Sequence, residues 1–402
     1  MAGIVIVGAG HAAGQAAASL RQAKYAGEII LIGDESHIPY QRPPLSKQYL
    51  SGEHGMERVY LRPEKFYADR DITVKVDTRV ESIDTSAKNV TTDQGETIEY
   101  ENLLIATGSR PRILHIDGSD LPGIYYFRTV ADVDAIRAQM SAGKKLVIVG
   151  GGYIGLEVAS VSVTSGLEVH VLEMEERILQ RVTTPEMSRY YHDLHSSRGV
   201  HIHTSKMVSG FTGNGQVSGV LCGDETIAAD LVIVGIGIIP NTEIAEAAGI
   251  DCDNGILVND HCETSVAGVY AAGDCTNHPN PLLDRRLRLE SVPNAMEQAR
   301  VVAANICGGD KSYSSYPWFW SDQYELKLQM VGFSADGDTQ VVRGDMANNQ
   351  FAVFYLKDGA MVAADAVNSP KEFMICKQLV GTKVDADILA DPSVDLKSLL
   401  GR

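Results

Sequence analysis

The chain has 402 residues, enough for two or three domains, and its 44% hydrophobic and 22% charged residues are ordinary for a globular protein. A net charge of −17 with no broad basic stripe argues against a nucleic-acid partner. The longest apolar runs are too short and too glycine-rich to span a bilayer, and no signal-peptide pattern follows Met1, so no membrane role and a cytoplasmic location are expected.

In chain order, residues 3–7 predict a buried strand, 12–24 a helix and 28–32 a second strand. The turn between the first two reads Val7-Gly8-Ala9-Gly10-His11-Ala12-Ala13-Gly14, a glycine-rich phosphate loop. Gly8 allows the tight turn, Gly10 removes a Cβ so that backbone can approach a pyrophosphate, and Ala13 keeps the helix close to the strand. A proline-rich loop follows at 39–47, then a strand over Asn102–Gly108 and a crossing segment over 111–130.

The same unit recurs 142 residues later as Val149-Gly150-Gly151-Gly152-Tyr153-Ile154-Gly155, with Glu168–Glu173 as its second strand. One such loop is a weak signal; two, each between a strand and a helix, predict two dinucleotides held in one protein and electrons passed between them. Asp230–Gly235 and Val269–Asp274 predict further strands, and Pro293 to about Cys307 a helix. The last 85 residues predict a separate, mainly antiparallel domain, with strands near 340–343, 350–356 and 361–367, Asp-Gly turns at Asp336-Gly337 and Asp358-Gly359, and a late helix near 370–380.

The acid that ends the second strand takes the adenosine ribose hydroxyls in such folds. It is Asp34, or Glu35 beside it, in the first unit and Glu173 in the second. A carboxylate at Glu173 would repel a 2′-phosphate and favours NADH over NADPH. The six cysteines (Cys222, Cys252, Cys262, Cys275, Cys307, Cys376) show no metal-ligand spacing and read as small buried residues, so no metal site is expected. None lies before Cys222, so no thiol stands in or near the proline-rich loop 39–47.

The motifs Pro39-Tyr40-x-Arg42-Pro43-Pro44-Leu45-Ser46-Lys47, Ala106-Thr107-Gly108, Gly150 to Glu157, Ala271 to Asp274, Arg288 to Ala295 and Pro317-Trp-Phe-Trp-Ser-Asp-Gln323 closely resemble those of the FAD-dependent ferredoxin reductases, over essentially the whole chain. The resemblance implies an α/β fold of two Rossmann-like dinucleotide-binding domains, glutathione reductase-like, plus a C-terminal α+β domain. It implies an FAD domain from 1–112 and 245–318, an NAD domain from 113–244 and a C-terminal domain from 319–402. It implies FAD contacts at Gly8, Gly10, Ala12, Ala13, Asp34, Arg42, Lys47, Val80, Arg128, Asp274 and Val292. NADH contacts are implied at Gly150, Gly152, Tyr153, Ile154, Gly155, Glu173 and Gly237.

Lys47, paired with Glu157, is implied to lie near flavin N5, and Trp320 against the flavin or the nicotinamide. The helix starting at Val292-Pro293 would aim its positive end at the charge a reduced flavin carries. The implied function is NADH-driven transfer through FAD to a 2Fe–2S ferredoxin that serves a monooxygenase or Rieske dioxygenase. Arg300, at the end of that helix, and Lys397 are implied docking residues, with Arg285, Arg286 and Arg288 as a cluster that could join them. The rival readings are an NADH-sensing flavoprotein that acts by binding partners, as apoptosis-inducing factor does, and an NADH oxidase or peroxidase, which the missing cysteine disfavours.

Overall fold

Gly3–Val7 is buried on both faces, which places it at the centre of a parallel sheet. The computed structural model describes residues 3–400; Met1, Ala2, Gly401 and Arg402 lie outside the described residues. The chain divides into two compact units, the first comprising Met1–Gln41, Gly55–Arg110 and Ile238–Pro317, the second Arg42–His54, Pro111–Gly237 and Trp318–Arg402.

In the first unit the parallel strands run in the order Ile72–Lys75, Ile29–Ile32, Gly3–Val7, Thr97–Ile105, and Val269–Ala271 joins on the far side of Thr97–Ile105. The earlier half of Thr97–Ile105 instead pairs antiparallel with Asn89–Thr92, which pairs with Val80–Asp84. The helix His11–Gln22 packs on the helix Val292–Ile306 through small side chains, Ala12, Ala13, Ala16 and Ala17 in one and Ala295, Ala299 and Ala303 in the other. Alanines on both partners allow the helices to approach closely.

In the second unit the parallel order is Val200–His203, Glu168–Leu172, Lys145–Val149, Leu231–Val234, Ile124–Tyr126. An antiparallel meander, Gly210–Gly213, Val217–Cys222 and Glu225–Ala228, covers one face through Phe211, Val217 and Val220. The C-terminal sheet is antiparallel in the order Trp318–Gln323, Leu326–Gly332, Ala360–Val367, Gln350–Lys357, Thr339–Asp345. Leu326, Leu328, Met330, Phe351, Val353 and Tyr355 from this sheet share a core with Leu156, Met187 and Tyr191 of the parallel-sheet part. The helix Pro370–Leu379 packs on the Leu326–Gly332 and Ala360–Val367 strands.

The expected α/β class, with parallel Rossmann-like sheets and a C-terminal antiparallel sheet, is the observed one. Several local expectations need correction. Asp358-Gly359 is a two-residue hairpin with both φ positive (49° and 76°), but Asp336 ends a single 3-10 turn, Ser334–Asp336, and joins no hairpin. The strands Trp318–Gln323 and Leu326–Gly332, the Gly210–Ala228 meander and the helix Pro185–Ser197 lay outside the predicted elements. Cys307 is exposed and Cys252 half-buried, so those two are not core residues. Arg300 lies in the middle of Val292–Ile306 and is exposed, not at the helix end.

Candidate functional site

The first glycine loop leaves the strand Gly3–Val7 and ends at the helix His11–Gln22. Gly8 has φ +113°, and a Cβ there would stand 2.2 Å from the carbonyl oxygen of Ala106. Gly10, the residue just before the helix, has extended backbone, and a Cβ there would meet nothing within 4 Å. The loop is therefore tight against its own sheet at Gly8 and open at Gly10, just before the first helical turn, whose N–H groups have no acceptor within the helix. Ala12 and Ala13 are buried behind it.

Asp34 stands exposed just beyond Ile29–Ile32, while the Glu35 carboxylate accepts the Tyr40 hydroxyl at 2.5 Å. That engagement favours Asp34 of the two ribose candidates. Thr78 and Asp77 donate backbone N–H groups to Gly33 and Glu35, which brings the start of the Val80–Asp84 strand to the same end of the sheet. Asp274 follows Val269–Ala271 and accepts the Ser109 hydroxyl at 2.9 Å. Val292 and Pro293 open the second helix, capped by Ser291, whose hydroxyl accepts the Asn294 N–H.

The second loop repeats these features. Gly150 has φ +112° and its Cβ would stand 2.3 Å from the Gly235 carbonyl; a Cβ on Gly155 would stand 2.3 Å from the Gly150 carbonyl; Gly152 is open. Ile154 is half exposed in the first helical turn. The Tyr153 ring turns away from the loop onto Phe319, with its hydroxyl on the Met330 sulfur, so its side chain serves packing and only its backbone N–H is available at the helix start. Gly237 is exposed with φ +102°.

Glu173 is 9% exposed, and its two carboxylate oxygens accept the Gly151 and Glu175 N–H groups at 2.8 and 2.9 Å. Its charge is thus fixed in place beside the loop, with lone pairs left for ribose hydroxyls.

Lys47 and Glu157, 110 residues apart in the chain, meet in the second unit, Nζ to Oε2 at 2.6 Å. The Pro43–Ser46 3-10 turn presents Lys47, and the helix Tyr153–Thr164 presents Glu157. Lys47 Nζ also donates to the Pro43 carbonyl (3.1 Å) and the Ser46 hydroxyl (3.3 Å), so its three N–H groups have three acceptors. Glu157, 2% exposed, also accepts the Ser46 hydroxyl at 2.5 Å and the Ser321 hydroxyl at 2.7 Å. A buried ion pair persists only when its remaining lone pairs and protons are satisfied, and here they are. Arg42 donates to the Arg128 carbonyl at 2.7 Å, which ties the proline-rich loop to the start of the helix Val130–Gln139.

Trp320 stands on the other face of its strand from Ser321. Strand alternation sends Phe319, Ser321 and Gln323 to the face that carries Glu157, and Trp320 to the opposite face with Trp318, ring centres 5.9 Å apart. Trp318 packs on Phe373 under the Lys377 ammonium. The arginine cluster is not a free patch: Arg286 is bound to the carbonyls of Val258 and Asn277, and Arg288 pairs with Glu290. Lys397 is exposed on a 3-10 turn near the end of the chain.

The partners of the Lys47–Glu157 pair escaped the sequence reading. Ser46 and Ser321 stand inside the two motifs that carry the resemblance, one residue before Lys47 and one after Trp320, but nothing local announces that both hydroxyls reach one carboxylate.

The profile of the pyridine nucleotide-disulphide oxidoreductases matches residues 2–299, and a reductase C-terminal domain matches 318–400. Putidaredoxin reductase from Pseudomonas putida is 44% identical, over 99% of this chain and 96% of the relative. The chain belongs to the FAD-dependent ferredoxin reductases of that oxidoreductase family. Among solved structures, the ferredoxin reductase for the CYP199A2 system of Rhodopseudomonas palustris superposes with a TM-score of 0.96 at 42% identity, covering 99% of this chain and 100% of that one. The covalent putidaredoxin reductase–putidaredoxin complex also gives 0.96, at 43% identity and 99% and 98% coverage.

FAD and NADH are the cofactors of this reductase. The residues present fit two dinucleotides: each loop is closed against its sheet at the first glycine, open at the second, and followed by a carboxylate at the end of the next strand.

Proposed function

We propose that this reductase takes electrons from NADH and delivers them singly to a 2Fe–2S ferredoxin serving a monooxygenase or Rieske dioxygenase in the cytoplasm. The observation that carries the reading is the pair of like-built nucleotide cradles in one chain, together with a solved relative described in complex with its ferredoxin. Among the described residues no helix is long and apolar enough to cross a membrane. Bound FAD would supply the chemistry, accepting a hydride pair and releasing electrons one at a time.

The chain's residues take the following roles in this reading. Residues 1–112 and 245–318 form the FAD domain, 113–244 the NAD domain and 319–402 the C-terminal domain. Gly8, Gly10, Ala12, Ala13, Asp34, Arg42, Lys47, Val80, Arg128, Asp274 and Val292 hold FAD. Gly150, Gly152, Tyr153, Ile154, Gly155, Glu173 and Gly237 hold NADH. Lys47, fixed by Glu157, presents positive charge to the flavin, and Trp320 closes over the ring system. Arg300 and Lys397 meet the ferredoxin.

Two residue-level results are expected. Glu173→Arg lowers kcat/KM for NADH by ~10–100-fold, the worth of the lost charge-assisted hydrogen bonds, and raises the NADPH-to-NADH ratio. An unchanged ratio in steady-state assays removes Glu173 from the ribose site. Arg300→Glu slows ferredoxin-dependent turnover by roughly tenfold at low ionic strength, because a rim charge acts on encounter. Ferricyanide reduction by NADH stays at the wild-type rate; equal loss of both activities makes Arg300 structural.

The deciding experiment is NADH-driven cytochrome c reduction with and without a panel of 2Fe–2S ferredoxins and a rubredoxin, since rubredoxin reductases are also related to this chain. Rates that depend on a ferredoxin support the proposal. Rates indifferent to every 2Fe–2S protein overturn it.

A further inference from the structure

The Glu157 carboxylate ends a longer chain of buried polar groups within the second unit. Ser321 donates its hydroxyl to Glu157 Oε1 at 2.7 Å and accepts Gln323 Nε2–H at 3.1 Å. Gln323 Oε1 lies 2.8 Å from His195 Nε2, and His195 Nδ1 lies 3.1 Å from the Tyr324 hydroxyl. Ser321, Gln323 and His195 are each at most 1% exposed. The strand Trp318–Gln323 and the helix Pro185–Ser197 thus meet through a line of hydrogen bonds aimed at Glu157.

We propose that Ser321, Gln323 and His195 are positioning residues for the Lys47–Glu157 pair, a hydrogen-bonded line of one polarity that holds the Glu157 carboxylate turned toward Lys47. This rests on the proposed place of Lys47 beside the flavin.

The polarity follows from valence. Burial lowers the His195 pKa to about 4, so the ring is neutral near pH 7 and carries one N–H. The Tyr324 hydroxyl donates to Nδ1, which leaves Nε2–H to donate to the Gln323 carbonyl oxygen. The amide then has only N–H to offer Ser321, and the single Ser321 proton is directed to Glu157. Every donor points inward at one anion, and such aligned bonds reinforce one another in a dry interior. The line orients charge and does not conduct protons, because an amide passes a proton on only by becoming an imidic acid. The charged and titratable groups around it are Lys47 and Tyr191 near Glu157, and Arg198 and His192 near His195.

The test uses the purified flavoprotein with Ser321→Ala, which deletes one oxygen, Gln323→Met, which keeps length without an amide, and the double variant. Two readouts serve: the midpoint potential of the bound flavin, taken with redox dyes and no NADH, and the anaerobic rate of flavin bleaching by NADH. In each single variant the potential shifts and bleaching slows about tenfold, the worth of one hydrogen bond to a charged group. The double variant matches the Ser321→Ala single, because Gln323 acts through Ser321.

Singles that melt earlier yet keep the wild-type potential and bleaching rate overturn the inference, since that is what packing alone would give. Effects that simply multiply in the double variant overturn it as well. If NADH fails to bleach the wild type while the potentials still shift non-additively, the proposed function falls and the positioning line stands.

Discussion

Gly8→Ala is expected to yield a protein that melts roughly 10 °C lower and purifies without flavin, whereas Gly10→Ala keeps the wild-type melting temperature and loses the flavin alone. The two glycines stand two residues apart in one loop, but their surroundings differ. At Gly8 the backbone sits at φ +113°, where a Cβ costs on the order of 1–2 kcal/mol, and the new atom would lie 2.2 Å from the Ala106 carbonyl oxygen, a backbone atom that cannot rotate away. Forcing strand and loop apart adds ~1–3 kcal/mol, for a total of about 2–5 kcal/mol. At Gly10 the backbone is φ −87°, ψ −163°, which alanine adopts freely, and nothing stands within 4 Å of its Cβ. In the proposed reading, what that Cβ obstructs is an incoming pyrophosphate. Thermal melts and the flavin absorbance of purified protein separate the outcomes; full flavin content in Gly10→Ala would remove the first loop from the FAD site.

Acid should destabilise this protein well above the usual carboxylate range, and His278→Phe should remove much of that sensitivity. His278 and His195 are both fully buried, and burial lowers each from 6.5 to about 4. The unfolded chain binds a proton at each below pH 6.5, and the folded chain does not until about pH 4. Their contribution is therefore fully present above about pH 6.5 and is lost as pH falls toward 4, about 3 kcal/mol for each. Asp365 works in the opposite sense. Burial raises it from 3.8 to about 6, so the folded chain binds its proton first and regains about 3 kcal/mol over nearly the same window. The expected net loss is about 3 kcal/mol.

His278 separates these contributions. Neither ring nitrogen has a hydrogen-bond partner, the ring lies edge-on to Tyr313 at 5.0 Å, and the nearby Arg286 guanidinium opposes a second positive charge. Phenylalanine fills the same slot without nitrogens to desolvate. The difference in urea unfolding free energy between pH 7 and pH 5 should shrink by about 2 kcal/mol in His278→Phe, whatever the substitution does at pH 7 alone. An unchanged difference would mean that His278 is not the buried neutral base described.

The parts of the site legible in the sequence are those built from neighbours in the chain. A glycine loop between strand and helix is a local object: its turn, its open second glycine and its small third residue all lie within eight positions, and a carboxylate follows at the end of the next strand. Gly8, Gly10, Gly150, Gly152, Gly155 and Glu173 could be read for that reason, and the duplication could be read because two local patterns repeat. The hairpin at Asp358-Gly359 belongs with them, since two residues suffice to set a positive-φ turn. The strands Trp318–Gln323 and Leu326–Gly332 were missed because the first is aromatic and polar without clean alternation, and their pairing with Ala360–Val367 supplies what their own composition lacks.

Tertiary structure alone decided the rest. The Lys47–Glu157 pair spans 110 residues, Ser321 reaches Glu157 across 164, and His195 reaches Gln323 across 128. It also decided that Trp320 faces Trp318 instead of Glu157, that Arg286 is spent on two carbonyls, and that Tyr153 serves the C-terminal core. Local propensity fixes how a chain turns over a few residues, whereas the face a side chain takes, and the charge it meets there, exist only once distant strands and helices have packed and water has been driven from between them.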